Sequence, residues 1–149
     1  MADVPADGLA PDSIEVLLMI HPLGFFAELS PGWGLPLDGS IRDAVRLAGE
    51  FDEDRIAGYL RGGTGIWSEM SAGPDVLDPE APDLTGIGSL YTDGTWIWRE
   101  DLAYYLSKYH VTLPADFLGH ARGLGYSAPR VPDSRLIEIA TEDLGMDLG

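Results

Sequence analysis

Asp93-Gly94 lies between two runs of aromatic and β-branched residues, and this stretch constrains the fold more than any other. A two-residue hairpin turn of type I′ needs φ > 0 at both central positions, which Asp tolerates and Gly accepts freely. Aromatic and β-branched flanks suit strands. Such a turn pairs Thr92 with Thr95, Tyr91 with Trp96, Leu90 with Ile97 and Ser89 with Trp98. Facing residues share one side of a sheet, and successive residues alternate sides. One face therefore carries Tyr91, Trp96 and Trp98. The other carries Leu90, Ile97 and the threonines. A hairpin apolar on both faces must be covered twice, or it leaves one face for a partner.

After the hairpin the chain reads as helix, short extended link, helix. Leu102, Tyr105, Leu106 and Tyr109 fall at i, i+3, i+4 and i+7, one apolar stripe, with Tyr104 off it. Glu100 and Asp101 in the first turn, and Lys108 and His110 near the end, follow the charge order that the helix dipole favours. The residue before Pro114 avoids the α region, so residues 111–113 are extended. Pro114 suits the start of a second helix with Phe117, Leu118, Ala121 and Leu124 on its buried face.

Upstream, Ser40 caps a helix that buries Ile41, Ala44, Val45 and Ala48. Asp52 caps the next one, Phe51 staples onto Ile56, and Ile56, Tyr59 and Leu60 face inward until Gly62-Gly63 stops it. Residues 13–20 read as a strand by their apolar run, although a helix turn also fits, and residues 64–70 read as another strand. Residues 1–12 read as a disordered arm, and residues 71–86, with three prolines, as a long surface loop of the kind that is often functional or mobile. Residues 133–144 read as a helix carrying Leu136, Ile137, Ala140 and Leu144, although RLIEI also alternates like a strand. The expected fold is α+β: one domain over residues 13–149, with a small, mostly antiparallel sheet packed by four to five short helices.

Composition narrows the function. The 149 residues include no cysteine, so neither a disulfide framework nor a thiolate metal site is expected. The acidic N-terminus carries no secretory pattern and the longest apolar run, residues 16–20, is too short for a bilayer, so a cytoplasmic protein is expected. The formal net charge is −16, from 25 acidic and 9 basic residues. That balance opposes nucleic-acid phosphates and anionic membranes. It speeds association with a basic partner, and it also serves solubility alone.

The signals for catalysis are weak. His21, His110 and His120 have the spacing of no standard zinc motif, and there is no GxSxG elbow. The RGGTG stretch at Arg61 lacks the GK[ST] ending of a phosphate loop and follows a helix. Acids cluster at helix starts, where capping explains them. No catalytic residue, metal ligand or cofactor is predicted. The aromatic residues have two readings. They build the core, or part of them stays exposed beside acids as a protein-binding hot spot. On the second reading the binding residues are Tyr91, Asp93, Trp96, Trp98, Glu100, Asp101 and Tyr104.

The string TDGxWxWxxDLxYYxxxYxxxLPxxF, which runs from Thr92 to Phe117, resembles a motif of small uncharacterised bacterial proteins, some of them of immunity or toxin-neutralising type. The resemblance covers the second half of the chain and the YLRGG stretch at Tyr59. That motif has a proline after the second tryptophan, where this chain has Arg99. The resemblance implies the fold first. By extension it implies a non-enzymatic monomer or dimer that neutralises a protein partner such as a basic toxin. Two alternatives stand beside it. One is a small-molecule binder or enzyme with a pocket lined by Trp98, Tyr105 and His110. The other is a structural or adaptor domain that assembles through the hairpin.

Overall fold

The computed structural model of the chain describes residues 19–147. The predicted arm, and all of the predicted strand 13–20 except its last two residues, lie outside the described residues. The strands are β1 (His21–Pro22), β2 (Thr64–Trp67), β3 (Ala72–Gly73), β4 (Leu84–Thr85), β5 (Leu90–Thr92) and β6 (Trp96–Arg99). The helices are α1 (Ile41–Ala44), α2 (Glu53–Arg61), α3 (Leu102–Tyr109), α4 (Ala115–Gly123) and α5 (Asp133–Glu138). A π turn, Ile139–Asp143, continues α5. The main sheet has the order β1-β6-β5-β2, and β3 with β4 forms a separate antiparallel ribbon. Among the described strands only the short β1 runs parallel to its neighbour. The fold is α+β.

The hairpin forms, with its turn centred one residue later than the sequence suggests. Thr92 pairs with Ile97, Tyr91 with Trp98 and Leu90 with Arg99. The cause is the Asp93 side chain. Its Oδ1 accepts from the amides of Thr95 (2.9 Å) and Trp96 (2.7 Å). The carboxylate so takes the acceptor role that a main-chain carbonyl has in a regular turn. Thr92 Oγ1 accepts from the Gly94 amide at 3.0 Å and donates to the Trp96 carbonyl at 2.7 Å. Gly94 sits at φ +94°, a region that L side chains avoid. Moving a turn centre by one residue moves the pairing by two, so every side chain keeps its predicted face.

Both faces are covered. Trp98 lies in the main core with Tyr59, Leu102, Tyr105, Leu106 and Phe117, between the sheet and α2, α3 and α4. Leu90 and Ile97 lie in a second core with Ile20, Phe25 and Leu35 from the N-terminal side and Ile139 and Leu144 from the C-terminal side. The Trp98 indole Nε1 donates to the Leu60 carbonyl at 3.0 Å. A Cβ on Gly63 would lie 2.6 Å from the Trp98 ring, so the RGGTG stretch ends a helix and admits this tryptophan.

Several local expectations are corrected. Ser40 caps α1 as expected, its Oγ accepting from the Arg42 amide at 3.1 Å. The helix stops at Ala44, because the Ala44 carbonyl accepts from Thr112 and the Arg46 amide donates to the Tyr109 carbonyl. Val45 and Ala48 are therefore exposed. Phe51 is 89% exposed and does not staple Ile56. Asp52 makes no side-chain cap, because its carboxylate reaches Arg122 and Tyr126 on the α4 side. Leu124 and Ile137 are exposed, and Ile139 takes the buried place in the C-terminal segment. The surface segment 71–86 is closed at its ends by the β3–β4 ribbon.

Truncating the ring between sheet and helices is expected to be expensive. Trp98→Ala lowers stability by about 3–5 kcal/mol, read as a fall in the urea midpoint.

Candidate functional site

The seven residues of the predicted binding set divide into an inner and an outer group. Asp93, Trp98 and Asp101 are buried, which corrects their expected place on an exposed face. Trp96 is half-buried between the rings of His21 and Phe117, at centroid distances of 5.2 and 5.5 Å. Tyr91, Glu100 and Tyr104 remain accessible. The Tyr91 hydroxyl donates to Glu100 Oε1 at 2.6 Å.

These three outer residues line two adjoining clefts. One, of about 210 Å³, is bounded by Arg61, Tyr91, Trp98, Arg99, Glu100 and Ala103, among others. The next, of about 330 Å³, is bounded by Arg61, Glu100, Ala103, Tyr104, Ser107 and Lys108. Arg61, Glu100 and Ala103 belong to both, so the two form one groove between the end of α2 and the start of α3. The groove carries both signs of charge and tyrosine edges, a chemistry suited to binding.

The inner residues hold the groove in place. Asp93 Oδ2 accepts from the Tyr59 hydroxyl at 2.5 Å and lies 3.0 Å from His120 Nε2. Burial, with Asp93 beside it, pushes the Tyr59 hydroxyl far above its ordinary value. Asp101 takes the buried Arg99 guanidinium with two contacts, Nε to Oδ1 at 3.1 Å and Nη2 to Oδ2 at 2.9 Å. Burial raises the Asp101 carboxyl, and Arg99 opposes that shift. Arg99 is thus half of an internal ion pair.

Sequence reasoning missed a cluster at Asp75. This aspartate is 1% exposed. Its Oδ2 accepts from Tyr109 (2.6 Å), Tyr104 (2.7 Å) and Lys108 (3.2 Å), and its Oδ1 from the Leu77 amide (2.8 Å). Tyr105 Oη accepts from the Val76 amide at 3.0 Å. The signal was present in part: Tyr104 and Lys108 lie one helical turn apart with Tyr109 next to Lys108, and their polar tips needed a partner. That the partner would sit in the proline-rich segment was not visible locally.

The histidines are separate. His110 ends α3 at φ 56° with its Nδ1 2.8 Å from Glu53 Oε2, and His120 faces Asp93. Trp98 and Tyr105 are packed in the main core and His110 turns away to Glu53, so the predicted pocket lined by these three is not formed. Among the described residues no group of three or more potential ligand side chains is placed to hold a metal ion. No described helix is long and apolar enough to cross a membrane. Comparison with models of known families, with curated proteins and with solved structures returns no match.

Asp75 yields a pH prediction. Burial alone would raise its carboxyl, but Tyr109, Tyr104, the Leu77 amide and Lys108 outweigh burial and lower it from 3.8 to about 2. A depressed folded value means that the ionised form stabilises the fold at neutral pH. That contribution is lost as pH falls from about 4 toward about 2. Asp52, held at about 2 by Arg122 against burial and with help from Tyr126, loses its contribution in the same window. Asp75→Asn is therefore less stable at pH 7 by about 1–3 kcal/mol. It also shows a smaller acid-induced fall in urea midpoint than the parent chain.

Proposed function

We propose that this chain is a non-enzymatic, acidic protein-binding domain of immunity type, acting in the bacterial cytoplasm by covering a basic partner such as a toxin. The observation that carries this reading is the fate of the positive charge. Arg46 pairs with Glu50, Arg99 with Asp101, Lys108 with Asp75, Arg122 with Asp52 and Arg135 with Glu138. Five of the 9 basic residues are thus answered by the chain's own carboxylates, while the formal net charge remains −16. The excess acid supports fast, salt-sensitive capture of a basic surface.

A second feature supports the same reading. Leu47 is 102% exposed and Phe51 89%, and both lie on the loop between α1 and α2. The base of that loop is clamped. Arg46 Nε donates to the His110 carbonyl at 2.8 Å, Glu50 pairs with Arg46 and Arg122, and Asp52 holds Arg122 and Tyr126. The Arg122 guanidinium lies 5.2 Å from the centre of the Phe51 ring. A clamped loop loses little freedom on binding, and aromatic residues beside arginine are favoured interface anchors. The groove of Tyr91, Glu100 and Tyr104 lies at the other end of α2, whose 9 residues span about 14 Å. The motif resemblance supports this function by extension only, because Thr92, Asp93, Gly94 and Trp98 serve the hairpin itself.

The test is capture by the tagged protein from lysate of its source cell. A basic protein should be retained at ~0.05 M salt and released toward ~1 M, where charges are screened within about 3 Å. Phe51→Ala with Leu47→Ala should cut retention at least ~10-fold. No captured protein, or capture indifferent to salt and to both substitutions, argues against the reading.

A further inference from the structure

A third cleft, of about 220 Å³, opens beside Leu90 and Arg99 on the opposite face of the hairpin. Its walls include Pro31, Trp33, Glu69, Ser71, Gly88 and Arg99. Its polar walls hold unused hydrogen-bonding capacity. Ser71 Oγ is the one buried side-chain polar atom among the described residues without a hydrogen-bond partner. An orphan of this kind calls for an explanation. Arg99 gives Nε and one Nη2 hydrogen to Asp101 and one Nη1 hydrogen to the Leu29 carbonyl. A guanidinium has five N–H donors, so two remain. The Glu69 carboxylate has no side-chain partner among the described residues.

The backbone is shaped around the same cleft. Ser30 and Trp33 have φ of 47° and 66°, and both line it. L residues adopt this region rarely, and such strain gathers at functional sites. Glu69 lies over Gly88, where a Cβ would come within 1.8 Å of its Oε2, so this glycine makes room for the carboxylate.

We propose that this cleft binds one ring of a neutral polyhydroxylated ligand, a sugar unit. Arg99 is already neutralised by Asp101, and Glu69 repels an anion. A phosphate or carboxylate also brings acceptors only and leaves Glu69 unanswered. An alkylammonium brings donors only and leaves the Arg99 N–H groups unanswered. A hydroxyl both donates and accepts, so adjacent hydroxyls answer Glu69, Ser71 and Arg99 together. The Trp33 indole and Pro31 supply an apolar wall for the C–H face of the ring. The volume falls below the ~300–1,000 Å³ of drug-sized sites, which limits the occupant to a single ring. This inference is independent of the protein partner proposed above.

The test is an amide and indole NMR titration of the whole chain with the methyl glycosides of glucose, galactose and N-acetylglucosamine. Sodium acetate and ethylammonium chloride are the comparison ligands. The expected result is a saturable shift of the Trp33 indole and the Arg99 Nε–H with at least one glycoside, in the ~1 mM range. Acetate and ethylammonium produce none. Ser71→Ala and Glu69→Gln, checked for a folded spectrum, weaken binding at least ~10-fold, or 1.4 kcal/mol. Absence of a saturable shift with every glycoside overturns the proposal. So does saturation by acetate or ethylammonium, or unchanged binding in both folded variants.

Discussion

One buried carboxylate, Asp93, ties together parts of the chain that are far apart in sequence. Its Oδ1 makes the hairpin turn by accepting two amides, and its Oδ2 reaches Tyr59 of α2 and His120 of α4. A buried carboxylate is tolerable only when its hydrogen-bonding sites are answered, and here four contacts answer them. The turn cannot shift without abandoning both helices, and the helices cannot slide without unpairing the turn. Once the turn is set, alternation sends Trp98 into the main core and Leu90 and Ile97 into the second. The groove and the α1–α2 loop then follow from how α2 and α3 pack over that sheet.

The acidity of the chain therefore has two components. Asp52, Asp75, Asp93 and Asp101 are all buried; the first three join segments far apart in sequence, and Asp101 pairs with its near neighbour Arg99, which in turn reaches the Leu29 carbonyl. Asp75 fastens the 71–86 segment to α3 through tyrosine hydroxyls and Lys108, and Asp52 fastens the start of α2 to Arg122 and Tyr126. In a domain of this size without cysteine, these polar links do part of the work that disulfides do elsewhere. The remaining acids set the outward field. Net charge alone hides this division, because a staple and a solvated acid count the same.

The strand and helix pattern was legible because it rests on local periodicity. The hairpin faces, the α3 stripe and the start of α4 at Pro114 are all settled by spacing, and a one-residue error in the turn leaves the faces intact. What was not legible depends on distant partners. The turn centre moved because Asp93 supplies a carbonyl-like acceptor. The end of α1 was decided by Thr112, and the fate of Phe51 by the pull of Arg122 on Asp52. The three prolines at 71–86 do mark a segment without long strands, yet tyrosines some thirty residues later hold it in place. The seven residues of the expected binding set lie on the hairpin and at the start of α3. Their division into inner Asp93, Trp98 and Asp101 and outer Tyr91, Glu100 and Tyr104 required the helices that cover the sheet.

The most direct test is equilibrium urea unfolding of Asp93→Ala and Asp93→Asn beside the parent chain. Removing the carboxylate orphans Tyr59, two turn amides and the contact of His120. Asp93→Ala should lose about 3–5 kcal/mol, as for one partner removed from a buried charged network. Asp93→Asn, which keeps one acceptor in place, should lose less. If Asp93→Ala instead unfolds within ~0.5 kcal/mol of the parent, the range of an ordinary surface substitution, Asp93 is not the tie that sets this fold.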